Sequence, residues 1–440
     1  MKFFKNYIIL ILLLAIVMNW VVEGSDMMGK ADMNLGLLPK FSIIVIEGLQ
    51  VAMLVLIILI FKEVNFITAT VICVALFCLL QYGVLKALGA HTSILISGIR
   101  YYFSFLPLFL LSYLLAFKNI SIKREFNWLL ALILLQIPVS IYQYLNASKI
   151  KLNSYQLLFD MISGTMGGIA PNLMSLVIGL GLLYFLIKLF EKKEYKYLII
   201  SLLLLSPSIL AEAKGMLLII LILLAYLAFI FKFNLQRILV LGVVAIMMIA
   251  GFSYTYTLLG YGDTLSASFL IDYASSESGK GRLSRVDSVI YSFSLLSDNN
   301  TLPLGMGIGN ANKSPLNHHG QFYDFFTIRH SIDIFITETG LLGITFLSFV
   351  LIKMITIAHS LTKEDIINED ELIIVRVFLG SIFMFIFGLF WVDVLFRIQF
   401  MYPFGMLAGY VLGIYHRTKQ EHKFIPSKAS LVKYQTSMIK

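Results

Sequence analysis

Apolar runs long enough to cross a bilayer recur from one end of this chain to the other, and nothing constrains its fold more. A helix that crosses the roughly 30 Å hydrocarbon core needs about 20 apolar residues in succession. About twelve such windows can be read: residues 7–23, 40–61, 65–86, 94–117, 127–146, 169–190, 196–212, 215–232, 236–253, 331–357, 374–394 and 398–416. Lipid offers a bare backbone no hydrogen-bond partner, so these windows must be helices that satisfy their own amides. The expected fold is therefore all-α, a polytopic integral membrane protein of about 12 transmembrane helices. Of the 440 residues only 13% are charged and 59% are hydrophobic, against roughly 25% charged in a soluble domain. An ordinary soluble globular protein is excluded.

The formal charge of +9 does not point to a nucleic-acid partner, because of where the charges sit. Most Lys and Arg lie in short loops beside apolar runs, which is the orientation signal of a membrane protein. With the N-terminus in the cytoplasm, the basic groups Lys118, Lys123 and Arg124, then Lys188, Lys192, Lys193 and Lys196, then Lys232 and Arg237, then Lys353 and Lys363 all fall inside. So does the tail, with Arg417, Lys419, Lys423, Lys428, Lys433 and Lys440. The segment Met1–Val22 has a basic start and no small-x-small site after it, and is expected to be an uncleaved first span. The expected organisation is helices 1–9 in residues 1–253, a large extracytoplasmic loop in 254–330 between helices 9 and 10, helices 10–12 in 331–416, and a basic cytoplasmic tail in 417–440. Cys73 and Cys78 share one apolar segment without metal-ligand spacing, so they are expected to pack.

The long break is where chemistry is expected, since polar groups held at one face of a membrane protein mark function. Within it, apolar residues recur at Leu283, Val286, Val289, Ile290, Phe293 and Leu296 at helical spacing, with Arg285, Ser288 and Ser292 opposite. That pattern predicts an amphipathic helix at the outer interface. Tyr155–Ile162 is a second, weaker candidate. Arg282, Arg285, Lys214, Arg100 and Arg397 all map to the outer side, against the orientation bias. Guanidinium forks bond phosphate oxygens bidentately, so as a set they favour a diphosphate. Singly, each fits a lipid headgroup or an internal ion pair such as Asp393–Arg397 or Glu212–Lys214. The run Gly305, Gly307 and Gly309 lacks the strand and helix of a nucleotide fingerprint; a phosphate-cradling nest, close helix approach and a turn placing Pro303 and Asn310 all fit it. His330, Asp333 and Glu338 open the tenth span, and His330 suits general-base work near neutrality. His318, His319 and His330 lack zinc spacing, so no metal is expected.

These last motifs resemble the bacterial O-antigen ligase and Wzy-type polysaccharide polymerase superfamily. The family pattern runs from an arginine and an amphipathic helix to Pro and Gly-x-Gly, then a histidine, then Glu-x-Gly-x-x-Gly entering the next span. This chain has Arg282 or Arg285, Leu283–Leu296, Pro303 with Gly305 and Gly307, His330, then Glu338, Gly340 and Gly343. Ala213-Lys214-Gly215 resembles the family's Ser-Arg-Gly turn, and Gly167-Gly168 with Pro171-Asn172 resembles another; Ser331 stands where the family usually has Asn. The resemblance implies a polymerase in the bacterial cytoplasmic (inner) membrane, both termini cytoplasmic. It would join undecaprenyl-diphosphate-linked oligosaccharide repeats by metal-independent glycosyl transfer without a cofactor. The arginines and Lys214 would hold the donor diphosphate, and His330, Asp333 or Glu338 would act as base. A chain-length regulator and a flippase are the implied partners besides membrane lipids. A ligase of the same superfamily is the nearer alternative, and a transporter or flippase the more distant one.

Overall fold

The computed structural model describes residues 1–18, 38–61, 64–146, 162–166, 170–231, 235–258, 285–311, 320–322, 330–364 and 367–424. Among them every regular element is helical. In chain order these are α1 (Lys2–Leu13, continued by a π-helical turn Leu14–Met18), α2 (Leu38–Phe61), α3 (Asn65–Ala87), α4 (Thr92–Phe103), α5 (Leu106–Phe117), α6 (Lys123–Leu134), α7 (Gln136–Asn146) and α8 (Pro171–Lys192). They continue as α9 (Tyr195–Leu210), α10 (Gly215–Ile230), α11 (Leu235–Leu258), α12 (Arg285–Asp298), α13 (Ser331–Leu361), α14 (Glu369–Trp391), a 3-10 turn Val394–Phe396, and α15 (Ile398–Phe424).

Seven helical stretches are long and apolar enough to cross a membrane: Asn65–Ala87, Thr92–Phe117, Lys123–Asn146, Pro171–Lys192, Ser331–Leu361, Glu369–Trp391 and Ile398–Glu421. Val45–Phe61, Tyr195–Leu210, Gly215–Ile230 and Gly242–Thr255 are shorter apolar helices. The protein is a helical, multi-pass membrane protein.

Several windows that read as unbroken are interrupted. The stretch 92–117 is two helices meeting at Ser104–Phe105, with Pro107 in the first turn of α5. The stretch 123–146 breaks at Leu135, two residues before Ile137-Pro138. Proline cannot donate to the preceding turn and fits best where a helix begins. The eleventh window runs on paper to 394, but α14 stops at Trp391, where Val392 turns extended. The ninth helix passes 253 and ends at Leu258.

Close backbone approach holds the centre. Gly405, Gly409 and Gly413 repeat every four residues along α15 and face α5, where a side chain at Gly409 would run into the Phe109 carbonyl. Small residues at this spacing let two helices meet in a setting where lipid gives no hydrophobic drive between them. Helices α8 and α15 are almost wholly buried, whereas α3 and the later part of α13 present Ile72, Leu76, Phe346, Phe349 and Ile352 outward.

The two ends of the bundle differ in chemistry. One end is closed by ion pairs between helix termini: Lys123–Asp370 at 2.8 Å, Arg417–Glu371 at 2.8 Å, Lys192–Glu369 at 2.5 Å and Arg376–Glu191. Acidic residues in the first turn of α14 suit the positive end of that helix. The other end gathers α12, the 301–311 loop and the start of α13, and is called the site end below.

Candidate functional site

The site end is organised around the turn that follows α14. The Ser331 amide donates to the Val392 carbonyl at 3.1 Å, and the Leu395 amide donates to Ser331 Oγ at 2.8 Å. Trp391 Nε1 donates to Asn172 Oδ1 at 3.3 Å. A Cβ on Gly215 would lie 2.5 Å from that indole nitrogen, so only glycine lets α10 begin there. Arg285 stacks its guanidinium over the Trp391 ring, 4.4 Å from the centroid. Four helices, α8, α10, α12 and α13, thus have their N-termini around Trp391 and Val392. Each carries the equivalent of about half a positive charge and amides unspent inside the helix. Gathered together, they favour an anion.

His330 caps α13, is 3% exposed, and places Nδ1 3.7 Å from Asp333 Oδ2. Asp333 Oδ1 accepts from the His330 and Ile334 amides at 3.1 and 2.6 Å. Among the described residues neither Nδ1 nor Oδ2 has a hydrogen-bond partner. The result is a buried imidazole beside a carboxylate already oriented by the backbone, the geometry that steadies an imidazole for proton transfer.

Glu338 is differently placed. Its Oε2 accepts from Tyr102 Oη at 2.8 Å and its Oε1 from the Ala311 amide at 3.0 Å, with the side chain fully buried. Both oxygens are engaged in joining α4, α13 and the 301–311 loop, which leaves His330 and Asp333 as the pair with spare proton chemistry.

The cations divide. Lys214 lies 3.4 Å from Glu212, and Arg397 Nε bonds Asp393 Oδ2 at 2.7 Å; both pairs sit in the turns flanking Trp391 and Gly215. Arg100 pairs with Glu47 of α2 and stacks on Tyr101. It is linked to the Trp391 turn through Tyr101, whose ring contacts Phe396 at 5.5 Å. Arg282, His318 and His319 lie outside the described residues, as do Gly167, Gly168 and the residues 155–161 of the second amphipathic candidate. Among the described residues no cluster of three or more His, Cys, Asp or Glu could hold a metal ion.

The glycine run is wedged into the bundle. Helix α13 is broken at Gly340, at φ 60° and ψ −158°, a conformation essentially reserved for glycine. The loop fills the break: the Met306 and Gly307 amides donate to the Thr337 and Glu338 carbonyls at 2.8 and 3.0 Å, and the Leu341 and Leu342 amides donate to the Leu302 and Pro303 carbonyls at 3.0 Å each. Gly305 abuts Glu338 and Gly309 abuts Ile94 of α4. The Ile308 amide donates to Gln81 Oε1 at 3.1 Å. Of the uses open for this run, the geometry is that of close backbone approach, because its amides from Gly305 to Ile308 are already engaged within the protein.

Helix α12 turns its serine stripe inward. Ser288, Ser292 and Leu296 are buried, and Ser292 Oγ reaches the Asp333 carbonyl at 3.2 Å, while Val286 and Ile290 are exposed. Small serines allow close packing on α13, and the apolar side is left for lipid. A buried turn, Ser163–Met166, is clamped nearby: Gln143 Oε1 accepts from the Ser163 and Gly164 amides, Gln136 Oε1 from the Thr165 amide, and Gln399 Nε2 donates to the Met166 carbonyl. Trp391, Tyr102 and Glu47 carry no sequence motif, and only an amphipathic aromatic at a span end hinted at the first. Comparison with protein-family models and with curated proteins finds no match for this chain.

Proposed function

We propose that this protein polymerises polyprenyl-diphosphate-linked oligosaccharide repeats by glycosyl transfer at the outer face of a bacterial cytoplasmic membrane. In this reading the chain spans twelve times, both termini are cytoplasmic, and the site end faces outward. The observation that carries it is the gathering of four helix N-termini with Arg285 and Lys214 around Trp391, one residue from the bond that ties down Ser331 and so His330. The acceptor sugar hydroxyl attacks the anomeric carbon of the donor, the bond to the diphosphate breaks, and the carrier leaves with both electrons of that bond. Arg285, Lys214 and the helix ends stabilise the charge that grows on the leaving group. His330 takes the hydroxyl proton, and Asp333 stabilises the imidazolium that results. Removing a positioned base of this kind costs about 10²–10⁴-fold in rate.

The test is polymer length in cells carrying Arg285→Ala, Lys214→Ala or His330→Ala at matched protein level. The expected result is loss of long chains in all three; wild-type ladders from all three overturn the assignment. One observation favours a second reading, transport, because transporters build sites at broken membrane helices and α13 is broken at Gly340. The 302–307 loop takes up amides and carbonyls on both sides of that break, which leaves it poorly suited to coordinate cargo.

A further inference from the structure

The break at Gly340 divides α13 into a short arm, residues 331–339, and the long apolar part that follows. The arm carries Asp333 and begins at His330, yet a broken helix does not pass its direction from one part to the other. What touches the arm must therefore aim it. At its first turn the Ser331 amide and hydroxyl are tied to Val392 and Leu395. At its far end the Met306 and Gly307 amides hold the Thr337 and Glu338 carbonyls. Between these supports Ser292 of α12 reaches the Asp333 carbonyl.

Tyr102 of α4 joins both ends of this mounting. Its hydroxyl donates to Glu338 Oε2 at 2.8 Å, near the end of the arm. Its ring lies 5.9 Å from that of Phe335 on the arm and 5.6 Å from that of Phe396. Phe396 adjoins Leu395, whose amide holds Ser331 Oγ. The reach of Tyr102 is set by its own helix. Ile94, Gly98 and Tyr102 recur every four residues and so share one face. A Cβ on Gly98 would stand 2.6 Å from the Ile308 carbonyl carbon, and Gly309 abuts the Ile94 carbonyl, so this face is pressed against the 301–311 loop. The same loop supplies the Ala311 amide that holds Glu338 Oε1 at 3.0 Å. The Asp333 carboxylate lies within electrostatic reach of the Tyr102 hydroxyl.

We propose that Tyr102 is a positioning residue of the transfer site: gripping Glu338 and Phe335, it holds the 331–339 arm against the turn after α14 and so aims the His330–Asp333 pair. Glu338 passes no proton in this arrangement; it is the anchor that Tyr102 grips. This rests on the glycosyl-transfer reading, since it assigns a part in that reaction. A base must be aligned with the hydroxyl it deprotonates, and a misplacement of about 1 Å can cost on the order of 100-fold in rate. Binding of the donor does not depend on that alignment, so the loss falls on kcat.

The experiment measures initial rates of glycan extension by the purified full-length protein in phosphatidylcholine vesicles, with a labelled polyprenyl-diphosphate-linked repeat as substrate. Tyr102→Phe keeps both ring contacts and loses the hydroxyl; kcat per folded protein should fall about tenfold or more while KM stays within about twofold. Glu338→Ala should show the same split. The double variant should be no slower than the slower single one, because both changes remove the same bond. Glu338→Gln still accepts from Ala311 and can donate to the Tyr102 oxygen, so it should recover at least about a third of the wild-type kcat. Losses that multiply in the double variant overturn the proposal. So does a Glu338→Gln protein as slow as His330→Ala, which would make Glu338 a proton carrier. A deficit in Tyr102→Phe that vanishes when rates are divided by the monodisperse fraction on gel filtration means a fold clamp alone, and also overturns it. Normal extension by wild type and by Tyr102→Phe alike defeats this inference alone, and no extension by wild type defeats the reading beneath it.

Discussion

Replacing Gly340 by alanine should damage this protein severely. A Cβ there would stand 2.5 Å from the Gly305 nitrogen, 2.6 Å from the Leu302 oxygen and 2.9 Å from the Pro303 carbonyl carbon. All three are backbone atoms, so no side chain can swing aside. The φ of 60° and ψ of −158° add about 1–3 kcal/mol of strain for an L-residue. Relief means backing the loop away and weakening the four bonds from Met306, Gly307, Leu341 and Leu342, each worth roughly 0.5–1.5 kcal/mol net. With partial relaxation the loss should be about 4 kcal/mol. At roughly 2 °C per kcal/mol for a long chain, that is a fall of about 8 °C in apparent Tm. The assay is thermal unfolding of the detergent-solubilised protein at one fixed scan rate. Two variants calibrate it. The Cβ of Gly343→Ala would stand 1.9 Å from Thr339 Oγ1 and 2.3 Å from Thr339 Cβ; rotation frees only the hydroxyl, so the helix backbone must also shift and a fall of about 4 °C is expected. Gly83→Ala meets nothing within 4 Å and should be neutral or slightly stabilising. A Gly340→Ala protein melting within about 1 °C of Gly83→Ala would refute the reasoning.

Ser292→Leu should dislodge α12 from α13, since Ser292 is fully buried against the Asp333 carbonyl; overpacking of this kind costs about 1–3 kcal/mol, read as faster proteolysis of the 259–330 segment, whereas Ile290→Ser on the exposed side should leave proteolysis unchanged. Gln143→Ala removes the one oxygen that accepts from both the Ser163 and Gly164 amides and the Nε2 donor to the Gly164 carbonyl and strands buried amides; a loss of about 2–3 kcal/mol should appear in the same melting assay. Gly409→Leu should prevent folding by forcing α15 off α5, visible as loss of the monodisperse peak on gel filtration. Arg285→Lys should keep the charge but lose the flat stack on Trp391, so transfer should drop about tenfold or more with little change in melting.

The helices were legible because apolar length is a local property: a run such as residues 374–394 can hardly be anything else in lipid. What the run could not tell was its own end, because the stop at Trp391 depends on Asn172 and Gly215, more than 170 residues earlier in the chain. The histidine-to-glycine segment also read as important, but its parts read alike. Only the fold separates Glu338, whose two oxygens are held by Tyr102 and the Ala311 amide, from Asp333, which keeps an oxygen facing His330. Likewise Arg100 and Arg285 look equivalent on paper, and their partners, Glu47 and Trp391, are chosen across the bundle rather than along the chain.

The central claim, that the site end joins lipid-linked sugars, is tested most directly in vesicles holding only the purified protein and a labelled polyprenyl-diphosphate-linked repeat. The account predicts longer glycans, one polyprenyl diphosphate released for each bond made, and neither in His330→Ala that still binds the donor. Repeats that cross the vesicle wall with no new glycosidic bond would contradict it.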